Sequence, residues 1–330
     1  MAAKKTTPII EELPTLWVFT TGTQAVGLCV DRARPDGAVW MGNDKGEVFA
    51  LTRDGERTRT LAVPSAVHAL YVDDVWTYAA CNDGNVYDLD ALPKRAPVVQ
   101  LGPGMHIGWI EAHRGRLCVA DAEGGLTVFD VEKNIVWEKR NDTAGESWMV
   151  RARDDGVYYG CELGLFAYDW SGAQRWHIGG ADDLGDVRFG DLLGDELAVT
   201  AGWGQRKQTH LHVVTRTGKR RFSVRLKPGP GGEKVTGAES CCIGRSDKGE
   251  LRFFGSCGAY LFCFDHSGKA LWRGPTTCGS ACNMVAIDQR LYISTSDGTC
   301  ACIDVSDAAI AAARKGVVPE TKTSTSVPPK

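Results

Sequence analysis

From Ala25 onward the chain alternates short apolar stretches with clusters of Asp, Asn, Gly and Ser, and strict helical periodicity is lacking until after residue 305. Ala25 to Val30, Val39 to Gly42, Glu47 to Leu51 and Thr58 to Val63 read as four consecutive strands. The hairpin before the third strand recurs as Asn43 to Gly46, Asn82 to Gly84, Ala122 to Gly125 and Ser296 to Gly298, each rich in residues that tolerate positive φ. This pattern predicts an all-β protein.

The strand pattern also repeats. LFAYDWSGAQRW runs from Leu165 to Trp176, LHVVTRTGKRRF from Leu211 to Phe222, and LFCFDHSGKALW from Leu261 to Trp272. In each, seven residues separate the Asp or Thr ending the third strand (Asp169, Thr215, Asp265) from an aromatic (Trp176, Phe222, Trp272), and Asp130 to Trp137 keeps the spacing. Third strands end at Thr52, Asp90, Asp130, Asp169, Thr215, Asp265 and Asp304, which marks seven units of about 40 residues. Units of four meandering strands at this period predict a seven-bladed β-propeller. The seventh unit lacks a fourth strand, and Leu16 to Phe19 has no unit of its own. Pairing the two removes both free edges, so one closed ring is expected, without a second domain.

The expected blades are 25–63, 66–101, 107–140, 148–179, 187–226, 239–274, and 282–305 completed by 15–20. Residues 1–14 read as a flexible arm, Ala308 to Arg314 as a short helix, and the rest of 306–330 as a disordered tail.

The run from Leu165 to Asp169, then Ser171-Gly172, then Trp176, resembles the tryptophan-docking repeat of the PQQ-like (quinoprotein-type) β-propellers, and SGKALW at Ser267 to Trp272 is similar. The resemblance covers about residues 15–305. It implies that Trp17, Trp137, Trp176, Phe222 and Trp272 wedge between neighbouring blades; the first two units have no aromatic at the docking position. WD40 propellers are a weaker match because no third strand ends in Trp-Asp. The resemblance also raises a quinone-dependent dehydrogenase. Against it stand seven units where those enzymes have eight, and no export signal, so the expectation is a protein that is not an enzyme and carries no cofactor.

Lys+Arg number 38 against Asp+Glu 41, a net charge of -3, so no global basic field exists to collect nucleic acid or an anionic membrane. The N-terminal residues lack an apolar signal region, and no window approaches a membrane span. A cytoplasmic protein is expected. Its 12 Cys should then stay reduced, as small apolar residues inside strands. Cys241, Cys242, Cys278 and Cys282 open the sixth and seventh units and are the weak candidates for a metal site; the usual C-x2-C knuckle is missing, so packing is the better reading. The seven His are scattered, no nucleophile elbow is present, and the Gly-rich runs at 102–104 and 229–232 do not open helices.

What departs from the repeat is its length around the fifth unit. Extra residues fall at 179–186, 202–209 and 227–239, in loops that a propeller gathers on one face. They bring Asp182, Asp183, Asp186, Trp203, Gln205, Arg206, Lys207, Lys227, Glu233 and Lys234 together as a candidate surface for a protein partner, with Trp203 and Arg206 as anchors. Gln24, Ser65, His106, Glu146, Glu239 and Ser280, ahead of the first strands, are expected to rim the central mouth on the same face. The leading expectation is a non-catalytic interaction scaffold. The alternatives are a binder of a small polar ligand or cation at that mouth, and an enzyme using the central pocket.

Overall fold

The computed structural model describes residues 7–34, 37–91, 96–102, 104–140, 147–179, 184–203, 208–227 and 240–326, with side chains 203 and 208 excepted. Seven antiparallel sheets follow one another along the chain. Blade 1 is β2–β5 (Ala25–Val30, Val39–Asn43, Glu47–Leu51, Arg57–Ala62), and blade 2 is β6–β9 (Val67–Val72, Thr77–Cys81, Asn85–Asp88, Val99–Gln100). Blade 3 is β10–β13 (Ile107–His113, Arg116–Asp121, Gly125–Phe129, Ile135–Arg140), and blade 4 is β14–β17 (Met149–Arg153, Gly156–Cys161, Gly164–Tyr168, Gln174–Ile178). Blade 5 is β18–β21 (Val187–Leu193, Glu196–Trp203, Gln208–Thr215, Arg220–Arg225), and blade 6 is β22–β25 (Cys241–Arg245, Leu251–Cys257, Tyr260–Phe264, Ala270–Pro275). Blade 7 takes β26–β28 (Ala281–Ile287, Arg290–Thr295, Thr299–Asp304) and, next to β28, β1 (Thr15–Thr20).

Each innermost strand touches the innermost strands of both neighbours, and β26 returns to β2. The protein is a closed seven-bladed β-propeller. β1 runs antiparallel to β28, with Val18 opposite Ala301. Middle strands are buried along their length, as in YAAC or LFAY, whereas the outer β5, β13, β17 and β21 are largely exposed. The core therefore lies between blades.

The seven-residue spacing has a geometric cause. The carboxylate of Asp169 accepts from the N–H groups of Ser171 and Ala173, and Asp265 does the same for Ser267 and Lys269, which closes a tight turn. Each turn presents a left-handed Gly on which the previous blade's aromatic docks: Trp17 on Gly55, Trp137 on Gly172, Trp176 on Gly218 and Phe222 on Gly268. The indoles also donate to a turn carbonyl, Trp17 to Arg53 at 2.8 Å, Trp137 to Trp170 at 3.1 Å and Trp176 to Arg216 at 2.9 Å. Blade 1 sends Arg59 instead, ion-paired to Asp90 of blade 2 at 3.4 Å. Among the described residues blade 3 receives no docked aromatic, and its turn carries Lys133 in the Gly place. Its ammonium lies 4.4 Å over Trp76 of blade 2.

Both termini are more ordered than their composition suggests. Within the expected flexible arm, Ile10 and Leu13 are buried, and Ile10 N–H donates to the Arg273 carbonyl on the outer edge of blade 6. Two apolar residues there cover Gly274 beside Trp272, which burial favours over solvation. In the expected disordered tail, β29 (Lys322–Thr325) pairs parallel with β1, and Thr321 and Thr325 donate to carbonyls of Thr15 and Thr20. An unpaired edge on β1 outweighs the polar composition, and β-branched Thr suits a strand. Before it comes α1 (Asp307–Ala313), capped by Ser306, with Ile310 and Ala313 buried.

On the side opposite the insertions, Asp155 ties blade 4 to blade 5. Burial works to raise its pKa, but hydrogen bonds from Arg216, Tyr158 and Arg175 win and bring it to about 2. A depressed carboxylate stabilises the fold above its unfolded pKa and loses that contribution as pH falls toward its folded value. Asp155→Asn should therefore lower the melting temperature at neutral pH and flatten its decline between about pH 4 and pH 2. Thermal scans across that range, with an acid limb identical to the unsubstituted protein, would remove Asp155 as a stabilising tie.

Candidate functional site

An antiparallel meander assigns its connections to two faces. Entries to the innermost strands and the turns between second and third strands share one face, here the upper. The remaining turns share the lower. At the upper face of five blades the residue before the innermost strand accepts an N–H from the far end of the second strand or the turn that follows it: Gln24 from Asp44, Ala66 from Asn82, His106 from Ala122, Asp186 from Gly202 and Ser280 from Ser296. Gln24, His106 and Ser280 thus occupy the equivalent places expected of mouth residues. Ser65 does not, because the register assigns that place to Ala66. Glu146 and Glu239 lie outside the described residues, as do Asp182, Asp183, Gln205, Arg206, Lys207, Glu233 and Lys234.

Blade 5 departs from the other blades at this face. β19 and β20 pair as far as Trp203 opposite Gln208, so part of what reads as an inserted loop is strand. Their ends overhang the sheet, since β18 begins opposite Ala201 and β21 ends opposite His210. Asp186 meets Gly202 there, and Leu226 N–H donates to the Thr209 carbonyl, which brings exposed Lys227 to the same edge. The Asp186 carboxylate is engaged by Arg188 at 2.7 Å.

None of the 12 cysteines forms a disulfide. Cys241 faces blade 5, with its Sγ 3.5 Å from the Ala198 carbonyl, whereas Cys242 packs in the cluster shared with blade 7. Adjacent strand residues point to opposite sides, so this pair cannot converge on one ion. Burial raises the Cys241 and Cys278 thiols to about 12, Cys282 to about 11, and Cys242 well above its ordinary value. Protonated at neutral pH, they are poor ligands and nucleophiles. Among the described residues no three His, Cys, Asp or Glu side chains form a group that could hold a metal ion.

Charge concentrates instead toward the lower end of the channel. One layer takes a residue from every blade at a common register: Cys29, Tyr71, Glu111, Arg151, Asp191, Cys242 and Val285, opposite Trp40, Tyr78, Cys118, Tyr158, Ala198, Phe254 and Tyr292. Three consecutive blades supply Glu111, Arg151 and Asp191. Arg151 lies 3.2 Å from Glu111 and 3.9 Å from Asp191, and its guanidinium stacks 4.8 Å over Trp109. From the next layer Arg153 reaches the other Glu111 oxygen at 3.0 Å. Burial pushes the Asp191 pKa up, but Arg32, Arg151 and the Ile243 N–H outweigh it and hold the carboxyl below its usual range. The layer encloses a cavity of about 240 Å³. Below it lies a chamber of about 510 Å³ lined by Arg32, Arg34, Arg53, Arg245 and Asp288.

No protein-family model matches the chain, and no curated protein does. Solved structures do. BamB from Moraxella catarrhalis is 17% identical, with a TM-score of 0.58 over 85% of this chain and 83% of that one. The computationally designed protein Ika8 is 14% identical, with a TM-score of 0.59 over 89% of this chain and 99% of that one. At such identity the likeness concerns the fold.

The sequence reading assigned the central mouth to the upper face and missed the lower charged layers. A signal for them exists: Glu111, Arg151 and Asp191 follow one another at the blade period of 40 residues, each a charge in the first strand of its unit. Arg32 carries no comparable mark, because it sits in a turn where a charged residue is ordinary. Among the described residues, no helix is long and apolar enough to cross a membrane.

Proposed function

We propose that the protein is a non-catalytic interaction scaffold, working in the cytoplasm and holding a protein partner through the upper face at blade 5. The observation that supports it is the β19–β20 hairpin, whose ends overhang their own sheet beside Asp186 and Lys227. A rigid ring gives such a projection a fixed position and leaves its sequence free to vary, which suits recognition. Trp203 and Arg206 are the residue types that anchor interfaces. The non-catalytic reading is supported by buried thiols that keep their protons. The docking of aromatics on turn glycines supports a relationship with the tryptophan-docking, PQQ-like propellers.

The test is native mass spectrometry of the protein gently purified from its host, unsubstituted and as the Trp203→Ala/Arg206→Ala double variant. A stoichiometric protein partner that the double variant loses, at an unchanged melting temperature, is the expected result. Full retention by the double variant would move the interface elsewhere, and a protein that travels alone would sink the scaffold reading.

A further inference from the structure

We infer that the lower mouth of the central channel is a binding site for a small polyvalent oxyanion, a phosphate ester or a polycarboxylate, seated among Arg32, Arg34, Arg53 and Arg245. In a chain of net charge -3, four guanidinium groups line one chamber, and Asp288 is the single carboxylate among its described lining residues. A guanidinium offers donors and no acceptor, so a cluster of them calls for oxygens from elsewhere.

Some of those donors are already used. Arg53 donates to the Gly37 and Asp31 carbonyls and lies 3.9 Å from Asp288; Arg34 lies 3.3 Å from the Asp31 carboxylate. Arg245 gives one N–H to the Gly249 carbonyl. Arg32 is different. It extends from blade 1 toward Asp191 of blade 5, a blade that is not its neighbour, and approaches that carboxylate to only 4.0 Å. Its guanidinium makes no hydrogen bond among the described residues, and it lines both the chamber and the inner cavity. A guanidinium poised across a channel with its donors unspent is suited to close on an anion.

The inner wall fixes the depth. The inner cavity balances Asp73, Glu111 and Asp191 against Arg32, Arg151 and Arg153, so the cationic excess, and with it the ligand, lies in the outer chamber up to Arg32. A chamber of about 510 Å³ falls within the range that small ligands occupy, roughly 300–1,000 Å³. The excess of cations over carboxylates in its lining favours a ligand of charge -2 or more. This site is independent of the blade 5 surface, being at the opposite end of the channel.

The experiment is calorimetric titration of the full chain at low ionic strength with pyrophosphate and, separately, with citrate, repeated on Arg32→Gln, Arg245→Gln and the outer-edge control Arg225→Gln. Saturable one-to-one binding of at least one anion is expected, weakened about tenfold or more by either mouth substitution and unchanged by the control. Pyrophosphate alone would assign the phosphoryl class, and citrate alone the polycarboxylate class. Absence of saturation by both anions into the tens of millimolar overturns the site, whatever the variants do. So does binding that both mouth variants retain in full. Arg32→Lys keeps the charge and loses the planar fork, so folded Arg32→Lys protein should bind more weakly than the original and more tightly than Arg32→Gln.

Discussion

Removal of residues 1–21 is expected to abolish cooperative unfolding of the entire ring. β1 pairs with β28 on one side and β29 on the other, so its loss exposes one strand edge and strands another. Trp17 and Phe19 go with it, both buried between blades 7 and 1, where Phe19 packs edge-on to Phe49 at 5.3 Å and Trp17 lies 6.0 Å from Tyr292. Truncating one buried aromatic costs about 3–5 kcal/mol, and a folded domain has roughly 5–15 kcal/mol in total. Two such losses, with those of Ile10 and Leu13, exceed what most domains hold in reserve. Circular dichroism on heating should show a broad, non-cooperative decline. A sharp transition at the original temperature would mean that the ring closes without β1.

The fold was legible because a propeller repeats its local rules. Asp169 and Asp265 close the same turn, Gly172 and Gly268 supply the same left-handed step, and the docked aromatic must then arrive seven residues after the acid. The termini were less legible. Their polar composition describes their solvent side, while Ile10, Leu13 and the β29 hydrogen bonds answer to edges created by distant strands. The site was the least legible part. Mouth residues depend on where each first strand begins, and β6 begins at Val67 rather than at 66, enough to exchange Ser65 for Ala66. Arg32 and Asp191 meet across the channel from positions 159 residues apart, and no local pattern joins them. Blade 5 was visible by length alone, which reveals that something projects without revealing that it does so as an extended hairpin.

Gly55→Ala is expected to destabilise the protein far more than Gly249→Ala, although the two glycines, one between β4 and β5 and the other between β22 and β23, sit in turns of the same geometry. In both, the Gly N–H donates to the carbonyl three residues back, from Gly55 to Thr52 and from Gly249 to Ser246. The hydroxyls of Thr52 and Ser246 each accept the following N–H groups, and φ is 85° at Gly55 and 79° at Gly249. The left-handed conformation should therefore penalise alanine equally at both positions, by about 1–2 kcal/mol. Their surroundings differ. A methyl group at 249 meets nothing within 4 Å, whereas at 55 it would stand 2.6 Å from the docked Trp17 ring. That ring is buried and hydrogen-bonded to Arg53, so it cannot swing aside without opening the junction that closes the propeller. The added cost at position 55 should approach the roughly 3–5 kcal/mol of losing a buried aromatic. Denaturant melts of the two variants measure the difference directly. In a Trp17→Ala background the ring is gone, and Gly55→Ala should shrink to the cost of Gly249→Ala. Equal effects of the two substitutions in the unsubstituted protein would show that Trp17 does not depend on a bare backbone at Gly55, and that the repeat keeps its glycines for turn geometry alone.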